Sequence, residues 1–210
     1  MTPLKPGDRI PSLILSAHES RGLLDGTVSV LVRPVVPRPP RDIYDPTFGE
    51  RGDLWSTWEI DGVSHGPYVC PFGHPGGVVL GKEAWCAIEE GIIYRADGAR
   101  VEWADDFHVD ERDGWLDKHG ENWRSPAHLP DWAVRHRPTI AAVKAVRCAE
   151  ITEYEAQMAG YRLTVNVSDP MEPPIERTML EQMQADWSRR WPRSPWDESW
   201  AWVAKIGASS

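Results

Sequence analysis

The chain has 210 residues and a net charge of −9, and 41% of it is apolar, enough to bury an ordinary core in one domain with insertions. No apolar run approaches a membrane span, and the N-terminal MTPLKPGDR lacks the apolar stretch of a secretory signal. A soluble, cytoplasmic protein without a membrane partner is therefore expected. Cys70, Cys86 and Cys148 are odd in number and irregular in spacing, which argues for buried thiols rather than a disulfide framework.

Leu13-Ile14-Leu15 reads as a short buried strand, followed by a helical turn that ends at Leu23-Leu24 with Gly26 as its stop. From Val28 the pattern alternates: Val28, Val30 and Val32 face one way, Ser29, Leu31 and Arg33 the other. Pro34, Pro37, Pro39 and Pro40 then force an exit into a loop. Residues 41–68 read as an insertion with one strand at LWSTWEI, and CPFGHPGG is a turn cluster. VVLGKEAWCAI is expected as one strand, with a hairpin of GIIYRAD and ARVEW around Asp97-Gly98.

Residues 104–122 form an acidic insertion, NWRSPAHLPDWAVR is irregular, and PTIAAVKAVRCAEI resumes as a long strand. Thr152 and Glu155 spell a capping box before a short helix that Gly160 ends, and YRLTVNV is another strand. A C-terminal extension over 176–206 holds a helix at 176–188, with Met179, Leu180, Met183 and Trp187 on one face. It closes on SWAWVAKI, a strand with Trp200 and Trp202 on one face. Many short strands with few helices point to a single α+β domain built on a small β-barrel.

Net acidity argues against a nucleic-acid partner until its distribution is considered. Residues 1–41 hold six basic and three acidic groups, while residues 42–122 hold six basic and eighteen acidic. Residues 123–148 hold five basic and one acidic. The acidity is thus concentrated in one block, and two basic islands remain that can bind anions or simply face solvent. Twelve Trp against three Phe is an unusual ratio, and Trp serves both as core anchor and as stacking surface for bases.

Two constellations suggest catalysis weakly. Cys70, His74 and Cys86 lack the second close ligand pair of a zinc site, so no metal or cofactor is expected. Ser29, His128 and Glu83 supply the residue types of a hydrolytic triad, without a nucleophile elbow.

The order of motifs is more specific. ILSAHESRGLLDG, CPFGHPGGVVLGKEAW, IIYRADG, NWRSPAHLPDWAVR, ITEYEAQMAGY and SPWDESWAWVAKI together resemble the ASCH family, in the form common in bacteriophage and prophage genomes. The resemblance implies a PUA-like barrel with peripheral helices, and a cleft that binds RNA, single-stranded nucleic acid or a modified nucleoside. One branch of that family hydrolyses an acylated cytidine with a Lys and a Thr after the first helix and a Glu in the capped helix. In this chain Val28 stands at the lysine place, Ser29 at the threonine place and Ala159 at the glutamate place. A valine is no nucleophile and an alanine moves no proton, so the expectation is binding without that hydrolysis.

Arg33, Lys82, Trp85, Trp123, Arg124 and Arg135 fall on matching positions and are the expected ligand-binding residues. Glu83 and His128 are expected to accept from an exocyclic amine and to donate or titrate near neutral pH. The alternatives are that an Arg–Glu pair beside Trp merely fixes a loop, and that His128 caps a carbonyl. Two further functions remain open: an amidohydrolase or nuclease using Ser29, Glu83 and His128, and a phage accessory protein that binds a host protein through the acidic block.

Overall fold

The computed structural model describes residues 10–36, 39, 54–55, 58–60, 63–65, 68–103, 122–166 and 175–207. The acidic insertion over 104–121, and residues 40–53 of the first insertion, lie outside the described residues. The chain divides into two compact units, each assembled from two segments: Met1–Gly26 with Val78–Pro138, and Thr27–Gly77 with Thr139–Ser210.

In the first unit, strand β1 (Ser12–Ile14) leads into helix α1 (Ala17–Asp25). Ser16 accepts from the Glu19 amide and Glu19 bonds back to Ser16, a capping box of about 1 kcal/mol. Gly26, at φ 75°, stops the helix as expected. Strand β1 pairs in parallel with β7 (Leu80–Lys82). Strands β8 (Trp85–Ile88), β9 (Gly91–Tyr94) and β10 (Arg100–Glu102) form an antiparallel meander, which includes the expected hairpin around Asp97-Gly98. Leu80, Trp85, Ala87, Ile92, Tyr94, Leu129, Ala133 and Val134 make the core of this unit.

The single strand expected over VVLGKEAWCAI is instead two, β7 and β8, interrupted at Glu83-Ala84. Each half has a different partner, β1 for one and β9 for the other. At the break the backbone turns Glu83 into a buried polar cluster, as described below.

In the second unit, β2 (Val30–Pro34), β11 (Ile140–Arg147) and β14 (Trp200–Ile206) form an antiparallel sheet in the order β11-β14-β2. Helix α2 (Glu153–Met158) carries the expected Thr152–Glu155 capping box, and α3 (Met179–Arg190) corresponds to the helix expected at 176–188. Val30, Val32, Ala201 and Val203 of the sheet share one core with Ala156, Met183 and Trp187 of the two helices. The Glu153 carboxylate accepts from the amides of Met179 and Leu180 at 2.6 and 3.1 Å, so α2 caps α3. The inward and outward alternation expected along β2 is absent, because Val30, Leu31, Val32 and Arg33 are all buried.

Three two-stranded pairs complete this unit: β3 (Leu54–Trp55) with β6 (Tyr68–Val69), β4 (Trp58–Ile60) with β5 (Val63–His65), and β12 (Thr164–Asn166) with β13 (Ile175–Arg177). LWSTWEI is therefore two short strands rather than one. The fold is mixed α+β with several antiparallel sheets, and among the described residues none of them closes into a barrel. No described helix is long and apolar enough to cross a membrane.

Candidate functional site

The break between β7 and β8 delivers Glu83 into the interior of the first unit, where it is 1% exposed. Ser20 of α1 and His136 meet it there, both buried. Ser20 Oγ donates to Glu83 Oε2 at 2.8 Å and lies 2.8 Å from His136 Nε2. His136 Nε2 is also 3.0 Å from Glu83 Oε1. Arg135 closes the cluster from the other side, with Nε and Nη2 on Glu83 at 2.6 and 2.9 Å. Its Nη1 and Nη2 also donate to Asp97 at 2.8 and 3.0 Å, and its guanidinium lies 4.1 Å from the Tyr94 ring centroid.

Close backbone approach makes the convergence possible. The Gly81 amide donates to the His136 carbonyl at 2.8 Å, and a Cβ on Gly81 would sit 2.6 Å from Leu15 Cδ1 and 2.8 Å from His136 Cβ. Only glycine allows that spacing.

The electrostatics follow from the geometry. Burial alone pushes the Glu83 carboxyl up, but the hydrogen bonds from His136, Arg135 and Ser20 and the Arg135 charge outweigh it, and the group settles at about 2. Burial pushes Tyr94 up to about 12. The hydrogen bond from Arg135 holds Asp97 below its ordinary value. Arg135 stays charged, burial being outweighed by its two carboxylate partners.

Serine, histidine and glutamate together invite comparison with a hydrolytic triad, and the donor and acceptor capacities of the three groups argue against it. The Ser20 hydroxyl hydrogen is directed at Glu83, so only its lone pairs face the imidazole. With an ionised carboxylate as the shared acceptor, His136 Nε2, 3.0 Å from Glu83 Oε1, is assigned as a donor as well. A general base needs the opposite arrangement, with the imidazole lone pair on the serine hydrogen. The cluster is an internal lock.

The residues expected from the sequence have varied placements. Glu83, proposed as a catalytic acid or amine acceptor, has its carboxylate engaged by Ser20, Arg135 and His136, and none of its bonds goes to Ser29 or His128. His128 is exposed in a 3₁₀ turn over Pro126–His128. Ser29 lies in the other unit, just before β2, and its Oγ is buried with no hydrogen-bond partner among the described residues. The proposed trio is not assembled by any bond in the described structure.

All three guanidinium nitrogens of Arg135 donate to the carboxylates of Glu83 and Asp97. Lys82 donates to the Leu129 carbonyl at 2.9 Å and pairs with Asp131 at 2.8 Å. Trp85 is 1% exposed and offers no face to a base. Arg33, expected to bind anions, is buried, donates to the Val32 carbonyl at 2.7 Å and lies over the Trp191 ring. Arg124 is half-buried and tied to the core by its amide, which donates to the Trp85 carbonyl at 2.7 Å. Trp123 alone stands out, 51% exposed, with the Arg95 guanidinium 5.7 Å from its ring centroid. Cys70, His74 and Cys86 do not cluster, and among the described residues no group of three His, Cys, Asp or Glu side chains is placed to hold a metal.

The open space lies elsewhere. The second unit holds a pocket of about 340 Å³, lined by apolar groups such as Val30, Val143, Met158 and Val203. Lys144, Lys205, Thr152 and Glu155 supply its polar lining. Tyr154 also lines it and is 66% exposed. Lys144 Nζ pairs with Glu155 Oε1 at 2.5 Å, while Glu155 Oε2 accepts from the Thr152 amide at 2.9 Å. Burial pushes the Glu155 carboxyl up, but Lys144 and the Thr152 amide pull it below its ordinary value, so it stays ionised. A carboxylate held in that state is a poor proton donor at neutral pH.

Sequence reasoning missed Ser20, His136, Asp97, Lys144 and Lys205. For Ser20 no local pattern marked it: only the structure shows that α1 buries Glu19, Ser20 and Gly22, a polar face where an ordinary helix presents apolar residues. For the two lysines the pattern of single charges in strand-forming sequence gave no signal.

Comparison with known protein families, with curated proteins and with solved structures finds no match to this chain.

Proposed function

We propose that the chain is an ASCH-type, PUA-like module that binds a nucleotide or modified nucleoside in the pocket of the second unit, without lysine-dependent hydrolysis. The observation that carries this reading is which elements wall the pocket. Val30 comes from the strand after Gly26, and Thr152, Glu155 and Met158 come from the capped helix. These are the two elements to which the motif resemblance assigns the ligand cleft.

The lining suits binding rather than turnover. Apolar walls around a few polar groups, in a volume of about 340 Å³, are typical of a small-molecule site. Flat bases gain from such walls and from an exposed ring like Tyr154. Val28 and Ala159 are buried and chemically inert, Glu155 stays ionised, and Thr152 is occupied as a helix cap.

Chemical-shift mapping with ribonucleosides and ribonucleotides tests this directly. Perturbations at Val30, Val143 and Met158 are expected, and Ala142→Trp, placed on an exposed lining position, should abolish them while leaving the fold intact. Ligands that shift other residues, or an Ala142→Trp protein that binds as before, would remove the pocket from the function.

A second surface favours binding of a strand. Trp123 with Arg95 over its ring offers a stacking face beside a cation, the pairing that single-stranded nucleic acid uses. Fluorescence anisotropy with a labelled oligonucleotide at low salt, compared between the parent and Trp123→Ala, decides whether that surface is used.

A further inference from the structure

We infer that the pocket of the second unit selects a nucleoside 5′-monophosphate over the neutral nucleoside, with Lys205 holding the phosphate. This rests on the reading of that pocket as a nucleotide site and adds the charge of its ligand.

The argument is one of charge within the lining. The lining holds two ammonium groups, Lys144 and Lys205, and one carboxylate, Glu155. Glu155 is committed to Lys144 at 2.5 Å, which leaves Lys205 with no ion pair among the described residues. In a chain with a net charge of −9, a lysine that lines an apolar pocket and has no carboxylate partner among the described residues is available to an anion. The strand register explains how the two lysines share the site. Ala142 stands opposite Lys205 and Lys144 opposite Val203, so the two lysines are diagonal neighbours on one face of the β11–β14 pair. Val30 of β2 lies opposite Lys205 on the other side, so Lys205 stands between strand positions that line the apolar wall.

The occupant this composition fits has a flat apolar body and one terminal dianionic group. The body lies against Val30, Val143, Met158 and Val203, and the anion meets Lys205, with Lys144 beside it. A phosphodiester inside a long strand carries a single charge and continues in both directions, which a pocket of about 340 Å³ accommodates less well than a terminal phosphate.

Calorimetric titration of the full chain with the four ribonucleosides, their 5′-monophosphates and inorganic phosphate at low salt tests the inference. At least one monophosphate should bind about tenfold tighter than its nucleoside, the scale of one charge-assisted hydrogen bond. In Lys205→Gln that ratio should fall to about one, and Lys205→Arg should restore it. A monophosphate and its nucleoside binding equally well, or an unchanged ratio in Lys205→Gln, overturns the inference while the nucleoside site stands. Inorganic phosphate binding as tightly as the monophosphate also overturns it, since the base would then contribute nothing. Binding of none of these compounds overturns the nucleotide reading beneath it.

Discussion

The two units of this chain treat polar groups in opposite ways. In the first, Glu83, Ser20 and His136 are buried and partnered, with Arg135 and Asp97 completing the network. In the second, Lys144 and Lys205 line an apolar pocket, and Lys205 has no ion pair among the described residues. The richer collection of catalytic residue types is therefore the one whose groups bond to one another. Reactive side chains become a site only when some of their hydrogen-bonding or charge capacity is left for a ligand. In the first unit that capacity is consumed internally; in the second, Lys205 keeps it among the described residues.

The largest expected effect tests the lock. Glu83→Ala leaves Arg135 with one of its two carboxylates and leaves His136 and Ser20 without their shared acceptor. Removing one partner of a buried ion pair costs about 3–5 kcal/mol. Urea denaturation should show that loss, and ligand binding by the second unit should survive in whatever fraction remains folded. A loss below about 1 kcal/mol would show that the cluster is not what holds the first unit.

Acid should reveal the same lock more gently. The Glu83 carboxyl sits near 2 in the folded protein against an ordinary value of 4.5. Its contribution is thus fully present above about 4.5 and is lost as pH falls through that value toward 2. The expected loss is on the order of 3 kcal/mol, read as the difference between the stability–pH curves of the parent and Glu83→Gln. If the two curves run parallel between pH 5 and 2.5, the depressed carboxylate is not real.

Ser20→Ala should cost about 1 kcal/mol, because Glu83 keeps its bonds to Arg135 and His136 when the hydroxyl is gone. Any assay of nucleoside hydrolysis should be indifferent to it. A hydrolytic activity that Ser20→Ala abolishes would contradict the hydrogen placement argued for the cluster.

What was legible in the sequence was local. Gly26 as a helix stop, the Thr152–Glu155 cap, the hairpin at Asp97-Gly98 and the apolar face of α3 all follow from residues within one or two turns of each other. What was illegible came from distance. Ser20 is 63 residues from Glu83 and 116 from His136, and nothing local marks either as a partner. The strand break at Glu83 has the same origin: its neighbours favour a strand, and only the distant partners pull the residue inward. The burial of Arg33 was illegible for a related reason. Period-2 alternation places it opposite Val32, but β2 is buried on both faces, so the guanidinium turns back onto the Val32 carbonyl.

The smallest stability effect belongs to Trp123, and it sharpens the contrast from the surface. Half-exposed and in cation–π contact with Arg95, Trp123 belongs to neither of the two core clusters among the described residues. Trp123→Ala should change stability by less than about 0.5 kcal/mol, measured by urea denaturation. If single-stranded nucleic acid stacks there, the same change should weaken oligonucleotide binding by about 1–3 kcal/mol while leaving mononucleotide binding in the pocket untouched. A parallel loss of both affinities would mean that the two ligands share one site, and the separation between a stacking surface on the first unit and a pocket in the second would have to be abandoned. Loss of the strand affinity alone would show that the first unit, closed to chemistry inside, still contributes a face to recognition.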